Sequence, residues 1–377
     1  MHYRILFLVF ISAWMMASSA DAQDAALQSA LEKIKAVDIN GQGHDAAVQA
    51  IEVLNNASAE DVPTMLQGMT GANKLAQNWI RGGIQSALKT GPLPRAQIRA
   101  YLDDSTGSHM GRLMAFELLS DADPSFAAKH VGSMLQDPSL PLRQLAVADF
   151  ITRARNSEET DEIIGILAQA LPHAREVDQI SSISKLLGEH NVNVDLQKQL
   201  GVIANWHIVG KFDNRREQGF DKVLGPEKAP ADVDLQASYE DSKTGEPVSW
   251  QRFNSTDATG IVDLNDLLGE EKGVIAYAYT EFDSAEEQDI DIRIGCINGN
   301  KVWINGQEVI NNEVYHVGMM PDQFKGKAKL KKGINKILFK ICQNEQTQPW
   351  ANRWMFQLRV CESDGKAVLP VEPAQPQ

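Results

Sequence analysis

The chain has 377 residues, a net charge of −14 and an apolar content of 43%. A chain of this length is expected to form about two domains with ordinary globular cores. The negative charge disfavours nucleic acid and anionic membrane surfaces as ligands, because both repel an acidic protein. We therefore expect a two-domain protein that does not bind nucleic acid.

The first 22 residues have the pattern of a secretory signal peptide. Arg4 precedes an apolar run from Ile5 to Met16, and Ala20-Asp21-Ala22 has the small-x-small pattern of a cleavage site. The apolar run is too short to span a bilayer, which requires about 20 residues. The sequence therefore predicts removal of residues 1–22 and export to the periplasm or the extracellular space, without membrane insertion.

Residues 23–200 form the first predicted domain, in which apolar residues recur with the helical spacing of about 3.6. Arginines recur every 31 or 32 residues, at positions 81, 112, 143 and 175. A period of this length is typical of stacked helical hairpins, because no single repeat can bury its apolar face alone. Asp137-Pro138 is expected to separate two helices, since the residue before proline is disfavoured in the α conformation. An irregular helical bundle is the alternative interpretation.

The segments 102–119 and 135–150 resemble the HEAT repeat, in which an Asp-Pro turn precedes an Arg and a small residue on the second helix. In that family the turn aspartate and the arginine form a ladder between repeats. The resemblance implies an α-solenoid that binds a protein partner. It also implies a structural ladder made of Asp104, Arg112, Asp137 and Arg143.

Residues 201–369 form the second predicted domain, and residues 370–377 form a Pro-rich tail. Short alternating runs separated by Gly, Asn and Asp predict about ten strands of an antiparallel β-sandwich or jelly roll. Asn305-Gly306 between two such runs predicts a two-residue type I′ hairpin. The predicted fold class is therefore α+β and multidomain, an α-solenoid followed by a β-sandwich. The clearest predicted strands are Ile208–Phe212, Val274–Phe282, Ile290–Cys296, Ile334–Cys342 and Trp354–Cys361.

Three segments resemble the galactose-binding-like modules attached to many secreted bacterial glycosidases. They are 206–214 (WHIVGKFDN), 301–306 (KVWING) and 330–338 (LKKGINKIL). The helical half followed by this sandwich also resembles a group of exported planctomycete proteins without an assigned activity. The first resemblance implies a module that binds carbohydrate rather than cleaves it.

No motif in the sequence indicates an enzyme. The HExxH zinc motif, the GxSxG nucleophile elbow and the Walker A loop are missing. A glycosidase requires only two carboxylates about 5 to 9 Å apart, so a glycoside-active enzyme remains the alternative. We expect a non-catalytic protein without a cofactor or a bound metal. Asp263 or Asn265 is expected to cap a helix rather than bind calcium, although a structural calcium ion stays an open alternative.

Segment 343–352 is the predicted ligand site, because it lies between two predicted strands and combines amides with an indole. The indole face can cover the C–H side of a pyranose, while amides hydrogen-bond to its hydroxyls. The loop 315–323 is expected to complete this rim, whereas Trp303 and Trp354 are expected in the core. The predicted ligand residues are Asn344, Gln346, Trp350, His316 and Asp322.

Two functions agree with these features and are mutually compatible. The chain is predicted to be an exported scaffold whose solenoid binds a protein. It is alternatively an accessory protein of polysaccharide degradation whose sandwich binds a neutral polysaccharide. Fold alone does not separate the two.

Overall fold

A computed structural model describes residues 22–371 of the chain. The predicted signal peptide, apart from residue 22, and residues 372–377 of the predicted tail lie outside the described residues. No helix within residues 22–371 is long and apolar enough to cross a bilayer. Helices occupy the first part of the chain and antiparallel strands the second, so the predicted α+β two-domain layout is confirmed.

The chain divides into two compact units, one ending at Ala174 and the other beginning at Arg175. The change from helix to strand falls between Leu200 and Asn205, beside the predicted boundary at residue 200. The second unit therefore contains helices as well as the strands.

The first unit consists of α-helices joined by short turns and 3₁₀ segments. Its helices are α1 (22–35), α2 (His44–Asn55), α3 (Val62–Gly68), α4 (Lys74–Ala87), α5 (Arg95–Asp103), α6 (His109–Ala122), α7 (Pro124–His130), α8 (Leu140–Asn156) and α9 (Thr160–Ala170). Helices α5 and α6 pack together, as do α8 and α9. The ends of several helices are set by local sequence: the Asn73 side chain accepts a hydrogen bond from the Ala76 N–H, and Pro124 occupies the first turn of α7.

A buried ion pair joins α6 to the turn before α8. The Arg112 guanidinium donates Nη1–H to Asp137 Oδ1 at 2.6 Å and Nη2–H to Asp137 Oδ2 at 2.8 Å. Its Nε–H also donates to the Leu102 carbonyl at 2.9 Å, and the Arg112 side chain is only 4% exposed. This bidentate contact links segment 102–119 to segment 135–150, the two segments that resemble successive repeats.

The other two predicted ladder residues make different contacts. Arg143 Nε–H donates to the main-chain carbonyl of Asp137 at 3.0 Å. Asp104 accepts hydrogen bonds from the N–H and hydroxyl of Thr106, which lower the pKa of its carboxyl. Asp104 therefore stabilises its own turn, because an aspartate two residues before an N–H is placed to form an Asx turn.

The second unit begins with α10 (Val177–Glu189) and α11 (Leu196–Leu200) and continues as strands. Its strands are β1 (Asn205–Asp213), β2 (Ser238–Glu240), β3 (Pro247–Ser249), β4 (Gln251–Asn254), β5 (Val262–Asp263), β6 (Val274–Ser284), β7 (Gln288–Cys296), β8 (Gly299–Ile304), β9 (Gln307–Asn312), β10 (Phe324–Leu330), β11 (Gly333–Gln343) and β12 (Met355–Cys361). A short helix, α12 (Asn265–Leu268), follows β5. The five clearest predicted strands correspond to β1, β6, β7, β11 and β12.

Ten of these strands form two antiparallel sheets that pack as a sandwich, and β2 pairs with β3 in a separate two-stranded sheet. One sheet has the order β4-β1-β6-β11-β8-β9 and the other the order β10-β7-β12-β5. Side chains alternate between the faces of a strand, so each strand contributes every second residue to the space between the sheets. That core contains Trp206, Phe339, Trp354 and Phe356, each at most 2% exposed.

The outward face of the six-stranded sheet carries a second apolar layer. Phe212, Tyr277, Trp303 and Leu338 are buried there beneath the chain between β1 and β4. Phe220, Leu224, Leu235, Tyr239 and Trp250 of that chain supply the cover.

A fully buried lysine anchors this cover to the sheet. Lys340 of β11 contacts Glu227 Oε1 with its Nζ at 2.6 Å and donates to the carbonyls of Gly219 and Phe220. The Tyr277 hydroxyl donates to the same Glu227 oxygen, and burial followed by this carboxylate raises the pKa of Tyr277 well above its ordinary value. A buried charge is tolerated only when such partners replace its water.

Strands β11 and β12 follow each other in the sequence but do not pair as a hairpin. The two strands lie in different sheets, and the chain between them crosses one end of the sandwich. Alternate residues of the two strands face each other across the core, from Ile337 to Ile341 in β11 and from Phe356 to Val360 in β12. Cys296, Cys342 and Cys361 are all buried free thiols.

Candidate functional site

The predicted ligand segment forms an ordered turn at the end of the sandwich where β11 leads to β12. Residues Pro349–Asn352 form one 3₁₀ turn. Lys272 Nζ donates to the Ala351 carbonyl at 2.6 Å, and Gln343 Nε2 donates to it at 3.1 Å. Asn265 Nδ2 donates to the Asn352 carbonyl at 2.9 Å. These side chains from separate segments hold the turn against the sandwich.

Trp350 projects from this turn with 56% of its surface exposed. One side of the indole is occupied by His316, whose ring meets it edge-on with centroids 5.3 Å apart and an interplanar angle of 79°. An exposed indole that is held by a neighbour loses little conformational freedom when a ligand stacks on it. Segment 343–352 and the 315–323 loop therefore meet at the contact between His316 and Trp350.

Asn344 is the centre of a polar network beneath this indole. Its Nδ2–H donates to Glu217 Oε1 at 2.9 Å, and its Oδ1 accepts from the Gln346 N–H at 3.2 Å. The same Oδ1 lies 2.7 Å from His316 Nε2. Because this oxygen only accepts, the hydrogen bond requires the proton to be on Nε2 of His316. The network thus fixes both the amide orientation and the imidazole tautomer.

The predicted ligand residues differ in what they offer a ligand. Asn344 is 4% exposed and its amide is engaged within the protein, so it positions His316 rather than facing solvent. Gln346 lies in the exposed part of the loop, four residues before Trp350. The surface available to a ligand is therefore the indole of Trp350 together with the exposed chain of residues 345–350.

Asp322 does not belong to this group of contacts. Its carboxylate contacts Arg293 Nη1 at 3.0 Å and Arg359 Nη1 at 3.5 Å on the outward face of the four-stranded sheet. Arg359 is 1% exposed and Arg293 is 8% exposed, so both buried guanidinium groups require a counterion. Asp322 fixes the 313–323 loop to the sheet through these contacts, and Asp291 supplies a second carboxylate to Arg293 at 3.1 Å.

The charges near Trp350 come from residues that the sequence did not single out. Glu217, whose Oε1 accepts from Asn344, and Glu345, whose Oε2 accepts from the Arg216 N–H at 2.7 Å, lie on one side. Glu270 accepts from Asn352 Nδ2 at 3.2 Å on the other. Burial lowers the pKa of Lys272, and Glu270 partly opposes that shift. Glu217 and Glu270 are distant in sequence from Trp350, so no local pattern could have identified them, whereas Glu345 lies within the predicted segment.

The segment considered for calcium precedes α12, whose N-cap residue is Leu264 and has no side-chain cap hydrogen bond. Asp263 Oδ1 accepts a hydrogen bond from the Asn265 N–H at 3.0 Å at the start of α12. Burial, followed by repulsion from Asp266 and Glu270, raises the pKa of Asp263. Within residues 22–371, no three His, Cys, Asp or Glu side chains are arranged to hold a metal ion.

Comparison with known proteins gives limited similarity. No family model and no curated protein matches the chain. Similar solved structures include a β-glucosidase from Kluyveromyces marxianus, with 16% identity, coverage of 33% of this chain and 15% of that chain, and a TM-score of 0.25. A β-glucuronidase from an uncultured Clostridium sp. has 12% identity, coverage of 43% and 29%, and a TM-score of 0.28. An anti-sigma factor domain-containing protein has 18% identity, coverage of 37% and 47%, and a TM-score of 0.24.

The chain thus spans less than a third of the length of both glycosidases. Similarity at this level identifies neither a fold family nor a function.

Proposed function

We propose that the protein is an exported, non-catalytic binding protein whose sandwich binds a neutral polysaccharide through Trp350. The observation that carries this proposal is the exposed indole, 56% accessible, at a rigid end of the sandwich. Loops at one end of a sandwich are common binding positions, because the sheets hold them while their side chains stay accessible. The HEAT-like and galactose-binding-like assignments of the two units belong to the same proposal.

The character of the rim favours an uncharged ligand. The carboxylates of Glu217, Glu270 and Glu345 surround the turn, and the chain carries a net charge of −14. A sulfated or uronic polymer would experience this repulsion, whereas a neutral sugar would not. One stacked sugar with few hydrogen bonds gives weak binding, with Kd on the order of micromolar to millimolar.

The test is affinity electrophoresis of the full chain in gels that contain galactomannan, xyloglucan or mixed-linkage β-glucan. We expect at least one of these neutral polymers to retard the native chain and polygalacturonate to leave its mobility unchanged. Trp350→Ala should abolish the retardation without changing the unfolding temperature, since the side chain is exposed. Val223→Ala, which removes an apolar side chain that is 64% exposed, is the matched control.

Asn344→Ala tests the positioning network separately. Its loss removes the partner of Glu217 and of His316, so it should weaken retardation and also change the fluorescence of Trp350. Retardation that survives Trp350→Ala would place the site elsewhere. Failure of every neutral polymer to retard the native chain would contradict the proposal.

The helical unit is proposed to bind a protein partner in the same exported assembly. The supporting observation is exposed apolar surface, since Val48 on α2 is 47% exposed and Leu75 on α4 is 42% exposed. Cross-linking of the secreted protein in its native host should yield a defined complex. Val48→Lys and Leu75→Lys should remove that complex, and an unchanged complex would contradict a role for this surface.

A further inference from the structure

A cleft of about 640 Å³ lies where β4, β1 and β6 run side by side, away from the Trp350 turn. Its volume is in the range of small-molecule sites, about 300–1,000 Å³. Leu235 contributes apolar surface, while two asparagines contribute amide groups. The polar residues that line the cleft include Asn205, His207, Arg252, Asn254, Tyr279 and Glu281.

The sheet register places these side chains on one face. His207 of β1 is paired with Arg252 of β4 on one side and with Tyr279 of β6 on the other. The next residue of β1 toward the core, Trp206, is 2% exposed in the layer between the sheets. Because successive side chains of a strand alternate, His207 and its two partners face outward in a row.

The cleft has one positive and one negative end. Arg252 is exposed and forms no ion pair with any residue in the range 22–371. At the other end the Tyr279 hydroxyl donates to Glu281 Oε1 at 2.9 Å and holds that carboxylate in place. Strands β4 and β6 are separated by β1, so their backbones lie about 10 Å apart across the sheet. Within residues 22–371, Glu281 forms no ion pair with the Arg252 guanidinium.

His207 lies between the two charged ends. Burial, followed by repulsion from Arg252, lowers the pKa of His207, and Glu281 partly opposes that shift. The imidazole is accordingly neutral at pH 7, where it offers one hydrogen-bond donor and one acceptor without adding charge. The row thus combines a cation, a neutral imidazole and a fixed carboxylate.

We propose that this cleft binds a small molecule with a carboxylate at one end and hydroxyl groups at the other. A guanidinium without a counterion matches a carboxylate through two parallel hydrogen bonds. Glu281 accepts hydrogen bonds from hydroxyls, and the amides of Asn205 and Asn254 both donate and accept. A dianionic phosphate would experience stronger repulsion from Glu281 and from the net charge of −14.

The site is independent of the polysaccharide site. Trp350 lies on the turn between β11 and β12, whereas the cleft is formed by β1, β4 and β6. Failure of one proposal therefore leaves the other unaffected. Trp350→Ala should not change ligand binding in the cleft.

Three probes separate the two halves of the proposed ligand. Gluconate carries a carboxylate and hydroxyls, glucitol carries the hydroxyls alone, and acetate carries the carboxylate alone. Calorimetric titration of the full chain should give binding of gluconate at least about tenfold tighter than either other probe. Equal binding of glucitol and gluconate, or no binding of gluconate, would overturn the proposal.

Two variants assign the ends of the cleft. Arg252→Gln should weaken gluconate binding at least about tenfold, because a charge-assisted bidentate contact is lost. Glu281→Gln should reduce the preference for gluconate over acetate. Arg155→Gln removes another exposed arginine, on α8, and is the matched control. Native affinity in Arg252→Gln would show that the guanidinium does not bind the carboxylate of the ligand.

Arg252 is exposed, so circular dichroism should show an unchanged fold in this variant.

Discussion

The pKa of His207 depends on the charged residues around it. Arg252 lowers its pKa and Glu281 raises it, and both residues lie on strands next to β1. Arg252→Gln should therefore raise the pKa of His207, whereas Glu281→Gln should lower it. Titration of the imidazole proton resonances by NMR measures both shifts. Arg155→Gln on α8 should leave the pKa unchanged, and two shifts of the same sign would contradict the proposed arrangement of the cleft.

The same shift predicts how stability depends on pH. A histidine whose pKa is lower in the folded state binds protons more strongly when unfolded, so acid favours unfolding. Its contribution to the free energy of unfolding is complete above the ordinary pKa of 6.5 and is lost as the pH falls through the folded value. His207→Gln should thus lose less stability than the native chain between pH 7.5 and pH 5, measured by urea unfolding. An equal loss in both proteins would assign the acid sensitivity to other groups.

The tryptophans show what sequence patterns predict at the residue scale. Trp354 and Trp303 alternate with aliphatic residues of a strand, and both are buried as expected, at 0% and 8% exposed. Trp350 has no such pattern and is exposed. The contacts of Asn344 with Glu217 and His316 join residues more than two dozen positions apart. Local patterns carry no information about such pairs, because the fold alone brings them together.

At the scale of elements, the ion pair between α6 and the turn before α8 should contribute to the stability of the helical unit. Arg112→Ala leaves Asp137 largely buried without its guanidinium, which should cost about 3 kcal/mol in the free energy of unfolding. Arg81 occupies the equivalent place in the arginine period, but it and its partner Glu117 are each more than 40% exposed. Arg81→Ala should cost less than about 1 kcal/mol. Equal costs in urea unfolding would contradict this assignment.

The hairpin between β8 and β9 depends on a residue that only glycine suits. Asn305 and Gly306 have φ values of 51° and 87°, as the predicted type I′ turn requires. A Cβ on Gly306 would also lie 2.8 Å from the Ala231 Cβ. Gly306→Ala should therefore lower the free energy of unfolding by about 1–2 kcal/mol.

Gly165 is the matched control for that change. It lies on the exposed side of α9 with nothing within 4 Å of the added Cβ, so Gly165→Ala should raise stability by up to about 1 kcal/mol. The two alanine variants should thus shift the unfolding midpoint in opposite directions. A shift in the same direction would contradict the conformational argument at Gly306.

Long strands could be predicted from sequence, whereas their pairing could not. The runs from Val274 and Ile334 extend over nearly continuous apolar residues, and the structure confirms both as β6 and β11. The short strands β2 to β5 have little apolar pattern, so the sequence predicts the number of strands only approximately. The strands β11 and β12 are adjacent in sequence but belong to different sheets, because each presents its own apolar face to the core. Periodicity identifies such a face but not its partner.

For the whole molecule, the sandwich determines which cysteines can meet. Cys342 faces outward from the six-stranded sheet, where it joins the second apolar layer. Cys361 follows Val360 of the core by one residue, so it faces outward from the other sheet, and its Sγ accepts a hydrogen bond from Arg359 at 3.2 Å. Packed sheets lie about 10 Å apart, beyond the Cα separation of about 7 Å that a disulfide permits. A bridge between Cys342 and Cys361 therefore requires unfolding.

The last prediction follows from that separation and from burial. Burial raises the pKa of all three thiols, that of Cys296 to about 12, so little of the nucleophilic thiolate is present at pH 8. The native chain should not react with a thiol reagent under non-reducing conditions, and denaturant should release all three thiols. Peptide mapping that finds Cys342 linked to Cys361 would contradict the sheet assignment of β11 and β12, and fewer than three reactive thiols after denaturation would contradict the free state of the cysteines.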